Sequence, residues 1–161
     1  MKEINQKKMF NFLLNKKIEN FIGVPDSTLK FFIAEGLKKK KILITTREEE
    51  AIGIASGISL SNSRSLVFMQ NAGFANSLST ITSLVQLYRI PMIFLIGWRG
   101  YLPSDAPEHI KIGKIQPTLL KTIGLPHRIA KDENWKESCL WALKTSQKSP
   151  CGLIIRRLSH E

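Results

Sequence analysis

The chain has 161 residues, 43% of them hydrophobic, and a net charge of +11. That length supports one packed domain over residues 1–161, and the composition excludes a disordered chain. The longest apolar run, residues 91–96, is far short of the ~20 needed to cross a bilayer, so no membrane partner is expected.

In chain order the hydrophobic spacing predicts alternating elements. Met9, Phe10, Leu13 and Leu14 recur at near-helical spacing, so residues 6–16 read as a helix. Residues 20–24 form a short strand, and Gly23-Val24-Pro25-Asp26-Ser27 is the turn after it. Asp26 or Ser27 can cap a helix over 28–39. Residues 42–45 make a second strand and 48–60 a helix led by Glu48, Glu49 and Glu50. The third strand, 65–69, is apolar enough for burial on both faces. A loop over 70–76 leads to a helix over 77–87, and 91–96 is the fourth strand. Residues 97–111 read as loop, with Pro103 and Pro107, followed by a helix over 117–123. A short strand at 127–130, a helix at 134–146 and a last strand at 152–155 complete the pattern. Strands alternating with helices imply parallel pairing and an α/β three-layer sandwich.

In open parallel sheets, ligands sit at the carboxyl ends of the strands. Four post-strand segments are rich in polar groups and glycine: Pro25-Asp26-Ser27, Arg47-Glu48, Gln70-Asn71 and Gly97-Trp98-Arg99-Gly100. Parallel pairing gathers them on one edge.

The remaining signals bound the setting. The Lys38-Lys39-Lys40-Lys41 run reads as a solvated helix end, where cations meet the negative end of the dipole. No nucleic-acid motif or stacking aromatics accompany it, so nucleic acid is not an expected partner. Cys139 and Cys151 have no metal-type spacing and read as free thiols in a reducing cytosol, so a cytoplasmic protein without a metal site of its own is expected. The start of the chain lacks a signal-peptide cleavage region.

For the glutamates the residues alone leave two readings. Acids at a helix start are stabilised by the dipole. Ala51, Gly53, Ala55, Ser56 and Gly57 also admit a close approach by a flat ligand or a second backbone, and Ile52 and Ile54 keep the surroundings dry, so one Glu could be a working acid.

The residues also carry a family resemblance, over about residues 20–126. Gly23-Val24-Pro25-Asp26-Ser27, Glu48 with Ala51 and Gly57, and Met69-Gln70-Asn71-Ala72-Gly73-Phe74-Ala75-Asn76 come first. Ile90-Pro91-Met92, Gly97-Trp98-Arg99-Gly100, Pro107-Glu108-His109 and Gly113 follow in order. The series resembles the N-terminal, pyrimidine-binding domain of thiamine-diphosphate-dependent decarboxylases, in the branch of phosphonopyruvate decarboxylase and sulfopyruvate decarboxylase alpha subunits. The resemblance implies that Glu48 hydrogen-bonds N1′ of the cofactor's aminopyrimidine. That role needs a carboxyl able to hold a proton near neutral pH, which burial favours. It implies that Val24, Pro25, Gly73 and Asn76 frame the cofactor. Asp26, Ser27, Gln70, Asn71, Arg99 and His109 are then candidates to face a small anionic 2-oxo acid.

Local readings stand beside these roles: capping for Asp26 and Ser27, Asx-turn chemistry for Gln70, Asn71 and Asn76, and an exposed loop position for Arg99 and His109. Ala75 stands where relatives carry Gly, and Arg47 where Asn or His is common. The branch implies 3-phosphonopyruvate as substrate, giving phosphonoacetaldehyde and carbon dioxide. A sulfopyruvate decarboxylase alpha subunit, or a non-catalytic regulatory subunit of the same fold, are the alternatives. The sequence contains no Gly-Asp-Gly. The expectation is that a separate beta subunit carries that motif and holds the diphosphate and Mg²⁺, in a hetero-oligomer where this chain also self-associates.

Overall fold

A computed structural model describes residues 1–157. Six strands form one parallel sheet: β1 (Asn20–Gly23), β2 (Ile42–Ile44), β3 (Ser65–Gln70), β4 (Ile93–Trp98), β5 (His127–Ile129) and β6 (Cys151–Arg156). Their order is β2-β1-β3-β4-β6-β5. The helices are α1 (Glu3–Asn15), α2 (Lys30–Lys38), α3 (Glu48–Leu60), α4 (Asn71–Asn76), α5 (Leu78–Thr80), α6 (Pro107–Thr122) and α7 (Trp135–Thr145). The α/β sandwich read from the sequence is the observed fold.

Side chains alternate across a strand, and the central strands are apolar on both faces. Leu66 and Phe68 of β3, Ile93 and Leu95 of β4, and Leu153 and Ile155 of β6 face one layer, with Phe10, Phe21 and Phe32. Phe10 stacks against Phe21 at 4.4 Å between ring centroids and meets Phe32 edge-on at 5.2 Å. Val67, Met69, Phe94, Ile96 and Ile154 face the other layer, with Ile52, Phe74, Ile81 and Leu120. Each such large side chain is worth about 1.5–3 kcal/mol when fully buried. Cys139 and Cys151 are buried, and burial pushes both thiols up to about 12, which leaves them inert at neutral pH.

Four elements differ from expectation. Residues 70–76, read as loop, end β3 and form α4, whose Asn71, Gly73 and Phe74 are buried. A 3-10 turn, Ser27–Leu29, precedes α2. The helix expected at 117–123 begins at Pro107, so Pro117 lies inside α6. The helix after α4 is a short α5 continuing into a π-helical segment, Ile81–Gln86.

The end of β1 is pinned from beneath. Gln6 of α1 is fully buried, and its Nε2 donates to Met1 O at 3.1 Å and Thr28 O at 3.0 Å. Its Oε1 accepts from Phe32 N at 3.1 Å. One amide thus fixes the segment that carries Asp26 and Ser27.

Candidate functional site

The sheet order reverses between β1 and β3: β2 lies beyond β1 on one side, and β4 beyond β3 on the other. A crevice is expected at the carboxyl ends there, and hydrogen bonds link Asp26 to Gln70, Asn71 to the Arg99 backbone and Arg99 to Ser27 at those ends.

The helix start sorts its three acids by partner. Glu50 Oε2 accepts from Thr46 N at 3.1 Å and Thr46 Oγ1 at 3.0 Å, closing the turn into α3 as a capping residue. Glu49 lies 3.6 Å from Arg47 Nε in an exposed pair. Glu48 has no hydrogen bond or ion pair among the described residues and lies against Gly73 of α4. A Cβ at Gly73 would overlap Glu48 Oε1, so the glycine lets the Glu48 side chain lie directly against α4. Ala51 and Ile52 are buried beneath, while Glu48 itself is half-buried. The fully dry setting expected for it is absent from this chain alone, because Gly53 and Gly57 point outward with nothing within 4 Å of a Cβ. Those two glycines therefore do not line the crevice.

Asp26 is buried, 5% exposed, and its Oδ1 accepts from Gln70 Nε2 at 3.1 Å. Its Oδ2 is buried and without a partner among the described residues, as is Thr28 Oγ1. A Cβ at Gly97 would overlap Asp26 Oδ2 and stand 3.1 Å from Thr28 Cβ. Gly97 is thus the floor under a buried carboxylate. Asn71 pairs reciprocally with the backbone after β4: its Nδ2 donates to Arg99 O at 3.0 Å, and its Oδ1 accepts from Arg99 N at 3.1 Å.

The Arg99 guanidinium is already engaged. Its Nε donates to Asp105 Oδ2 at 2.9 Å and its Nη2 to Asp105 Oδ1 at 2.6 Å. Its Nη1 donates to Ser27 Oγ at 2.9 Å. Asp105 is the residue that sequence reading missed. The only signal was an acid six residues from an arginine in a Gly- and Pro-bearing segment. The Arg99 hydrogen bonds hold the Asp105 carboxyl far below the usual carboxylate range, and the backbone N–H groups of Gly100 and Ala106 add to this.

The other candidates make no side-chain hydrogen bond to these groups among the described residues. Val24 is half-buried, and Pro25 and Asn76 are exposed. His109 is half-buried, with Nε2 3.8 Å from Glu108 Oε1 and no hydrogen bond to the cluster. Its backbone carbonyl packs on Gly100, whose φ of +72° suits glycine. Among the described residues no group of three His, Cys, Asp or Glu stands together to hold a metal ion, and no helix is long and apolar enough to cross a membrane.

No family model matches the sequence. The chain is 33% identical over 132 residues to sulfopyruvate decarboxylase subunit alpha of Methanococcus maripaludis, covering 80% of this chain and 79% of that protein. It is 34% identical over 101 residues to phosphonopyruvate decarboxylase of Streptomyces viridochromogenes, covering 61% of this chain but 25% of that protein. Its fold is similar to benzoylformate decarboxylase from Polynucleobacter necessarius, with a TM-score of 0.72 at 19% identity, over 94% of this chain and 29% of that one.

Proposed function

The chain belongs to the family that includes the sulfopyruvate decarboxylase alpha subunits, and on that premise we propose that it is the pyrimidine-binding subunit of a thiamine-diphosphate-dependent 2-oxo acid decarboxylase. The observation that carries this reading is Glu48: an unpaired carboxylate lying directly against Gly73, where a Cβ would overlap it. Such a carboxylate fits the ring nitrogen of an aminopyrimidine, and the glycine cradle fits a flat ring. When bound, thiamine diphosphate supplies the nucleophilic carbon and the electron sink for loss of carbon dioxide. Glu48 holds and returns a proton at the pyrimidine ring nitrogen. Val24, Pro25, Gly73 and Asn76 border the same ring. Asp26, Ser27, Gln70, Asn71 and Arg99 orient the 2-oxo acid at the carboxyl edge, and His109 stands at its margin.

In this proposal a partner subunit bearing Gly-Asp-Gly holds the diphosphate and Mg²⁺. It also covers Glu48, supplying the burial that this chain leaves incomplete. The substrate carries a second anion, a sulfonate or a phosphonate. Coverage of most of a separate alpha subunit supports sulfopyruvate. Trp98-Arg99-Gly100 and Glu108-His109, elements of the phosphonopyruvate branch, support 3-phosphonopyruvate. Turnover of sulfopyruvate, phosphonopyruvate and pyruvate by the two-chain enzyme decides between them, and turnover of pyruvate alone removes the second anion from the proposal.

The test of Glu48 is Glu48→Gln in the same reconstituted enzyme. Decarboxylation is expected to fall by about 10²–10⁴, the usual worth of a positioned acid–base group. Activity within a few-fold of the wild type would make this chain a non-catalytic subunit.

A further inference from the structure

Asp105 sits in the segment between β4 and α6 and makes no hydrogen bond or ion pair with Glu48, Asp26 or Gln70 among the described residues. Its side chain is 2% exposed. Besides Arg99 it accepts from Gly100 N at 2.7 Å, Ala106 N at 2.8 Å and Arg157 Nη1 at 3.3 Å. We propose that Asp105 is a positioning residue that orients Arg99 toward the second anionic group of the substrate, an inference that rests on the reading of Arg99 given above.

The geometry separates what Asp105 takes from what it leaves. A guanidinium has five N–H donors in a planar fork. The Nε–Nη2 edge, the side best suited to grip an anion bidentately, is consumed by Asp105. The Nη1 corner remains, 2.9 Å from Ser27 Oγ. An incoming sulfonate or phosphonate oxygen would therefore meet Nη1 and the Ser27 hydroxyl side by side, at the end of β1. Without the clasp, the arginine side chain would have to give up its rotamer entropy on binding. With it, that ordering is present before the substrate arrives.

Asp105 lies between two guanidiniums, Arg99 at 2.6 Å and Arg157 at 3.3 Å, so its carboxylate is anchored from both sides.

Three variants of the reconstituted two-chain enzyme test this, assayed on whichever of sulfopyruvate or phosphonopyruvate it turns over. Arg99→Gln is expected to raise KM about tenfold or more, the worth of a charge-assisted hydrogen bond, with kcat within about threefold. Asp105→Asn is expected to do the same, and the double variant is expected to add little, because both changes remove one function. Asp105→Glu keeps the charge but shifts the clasp. It carries the test if Asp105→Asn does not fold, with an expected KM between wild type and Arg99→Gln. If Arg99→Gln raises KM and the Asp105 variants do not, the positioning role is overturned and the reading of Arg99 stands. If Arg99→Gln leaves KM unchanged, the reading of Arg99 falls and the inference with it. If the Asp105 variants lower kcat, kcat/KM and melting temperature together, Asp105 is a brace for the loop only, and the inference is overturned.

Discussion

A carboxylate next to a helix N-terminus is favoured by the dipole, and Glu49 and Glu50 add partners of their own in Arg47 and Thr46. Glu48 has the dipole alone, and the glycine opposite it keeps its face open. The family resemblance could single out Glu48, but not show that its neighbours are occupied, since that depends on the rotamers of a folded turn. Asp105 was less legible still: Arg99 and Gly100 precede it in the same segment between β4 and α6, but Arg157, after β6, is brought to it only by the fold. Asp105 also makes a residue-scale prediction. Its folded pKa is depressed, so its contribution to stability is complete above the unfolded value of about 3.9 and is lost as pH falls through the folded value. Denaturant unfolding of wild type and Asp105→Asn should therefore give a constant stability difference between about pH 5 and 8 that shrinks below about pH 3.9. A difference that widens in acid would contradict the clasp.

At the scale of elements, proline was the misleading signal in α6. Proline is favoured in the first turn of a helix, and either Pro107 or Pro117 could mark that turn. Pro107 occupies it. Pro117 then has no N–H to offer the carbonyl four residues back, which is Gly113. The structure supplies a substitute: Trp98 Nε1 of β4 donates to Gly113 O at 2.9 Å. A strand side chain thus replaces a missing helix bond and ties α6 to the end of β4, beside Arg99. The segment 70–76, with Asn71, Gly73 and Asn76, misled for a related reason. These residues favour turns locally, but burial of Phe74 and the pairing of Asn71 with the Arg99 backbone reward a helix. Both misreadings come from tertiary contacts overriding local preference. Trp98→Phe should cost about 1–3 kcal/mol by leaving a buried carbonyl unpaired. In a Pro117→Ala background, where an N–H is restored, the cost should be smaller. Equal costs in the two backgrounds, read from a double-mutant cycle by chemical denaturation, would show that the indole does not substitute for the proline's missing donor.

For the molecule as a whole, the strong basic charge was legible at once, and its placement was not. From Ala51 to Tyr88 the only charged residue is Arg64, although this stretch includes α3 beyond its acidic first turn, α4 and the π-helical segment, all on one layer of the sandwich. Gly53, Gly57, Leu60 and Leu87 are exposed there. The cations lie elsewhere, including the ends of α1 and α2, with Lys16, Lys17 and the run from Lys38 to Lys41. A long-range field and a short-range contact surface are therefore carried by different parts of the chain. If the proposed partner subunit meets the uncharged helices beside Glu48, the two parts should separate in kinetics. The field acts on encounter and is screened beyond about 8 Å at physiological ionic strength. Contacts between uncharged faces are broken only on dissociation. Raising salt from about 0.02 to 0.5 M should lower the association rate with an acidic partner by about tenfold or more and leave the dissociation rate nearly constant. An association rate indifferent to salt would deny the charge any steering role. A dissociation rate that climbs with salt would put the cations inside the interface, and the contact surface would then have to be sought on the lysine-bearing side of the fold.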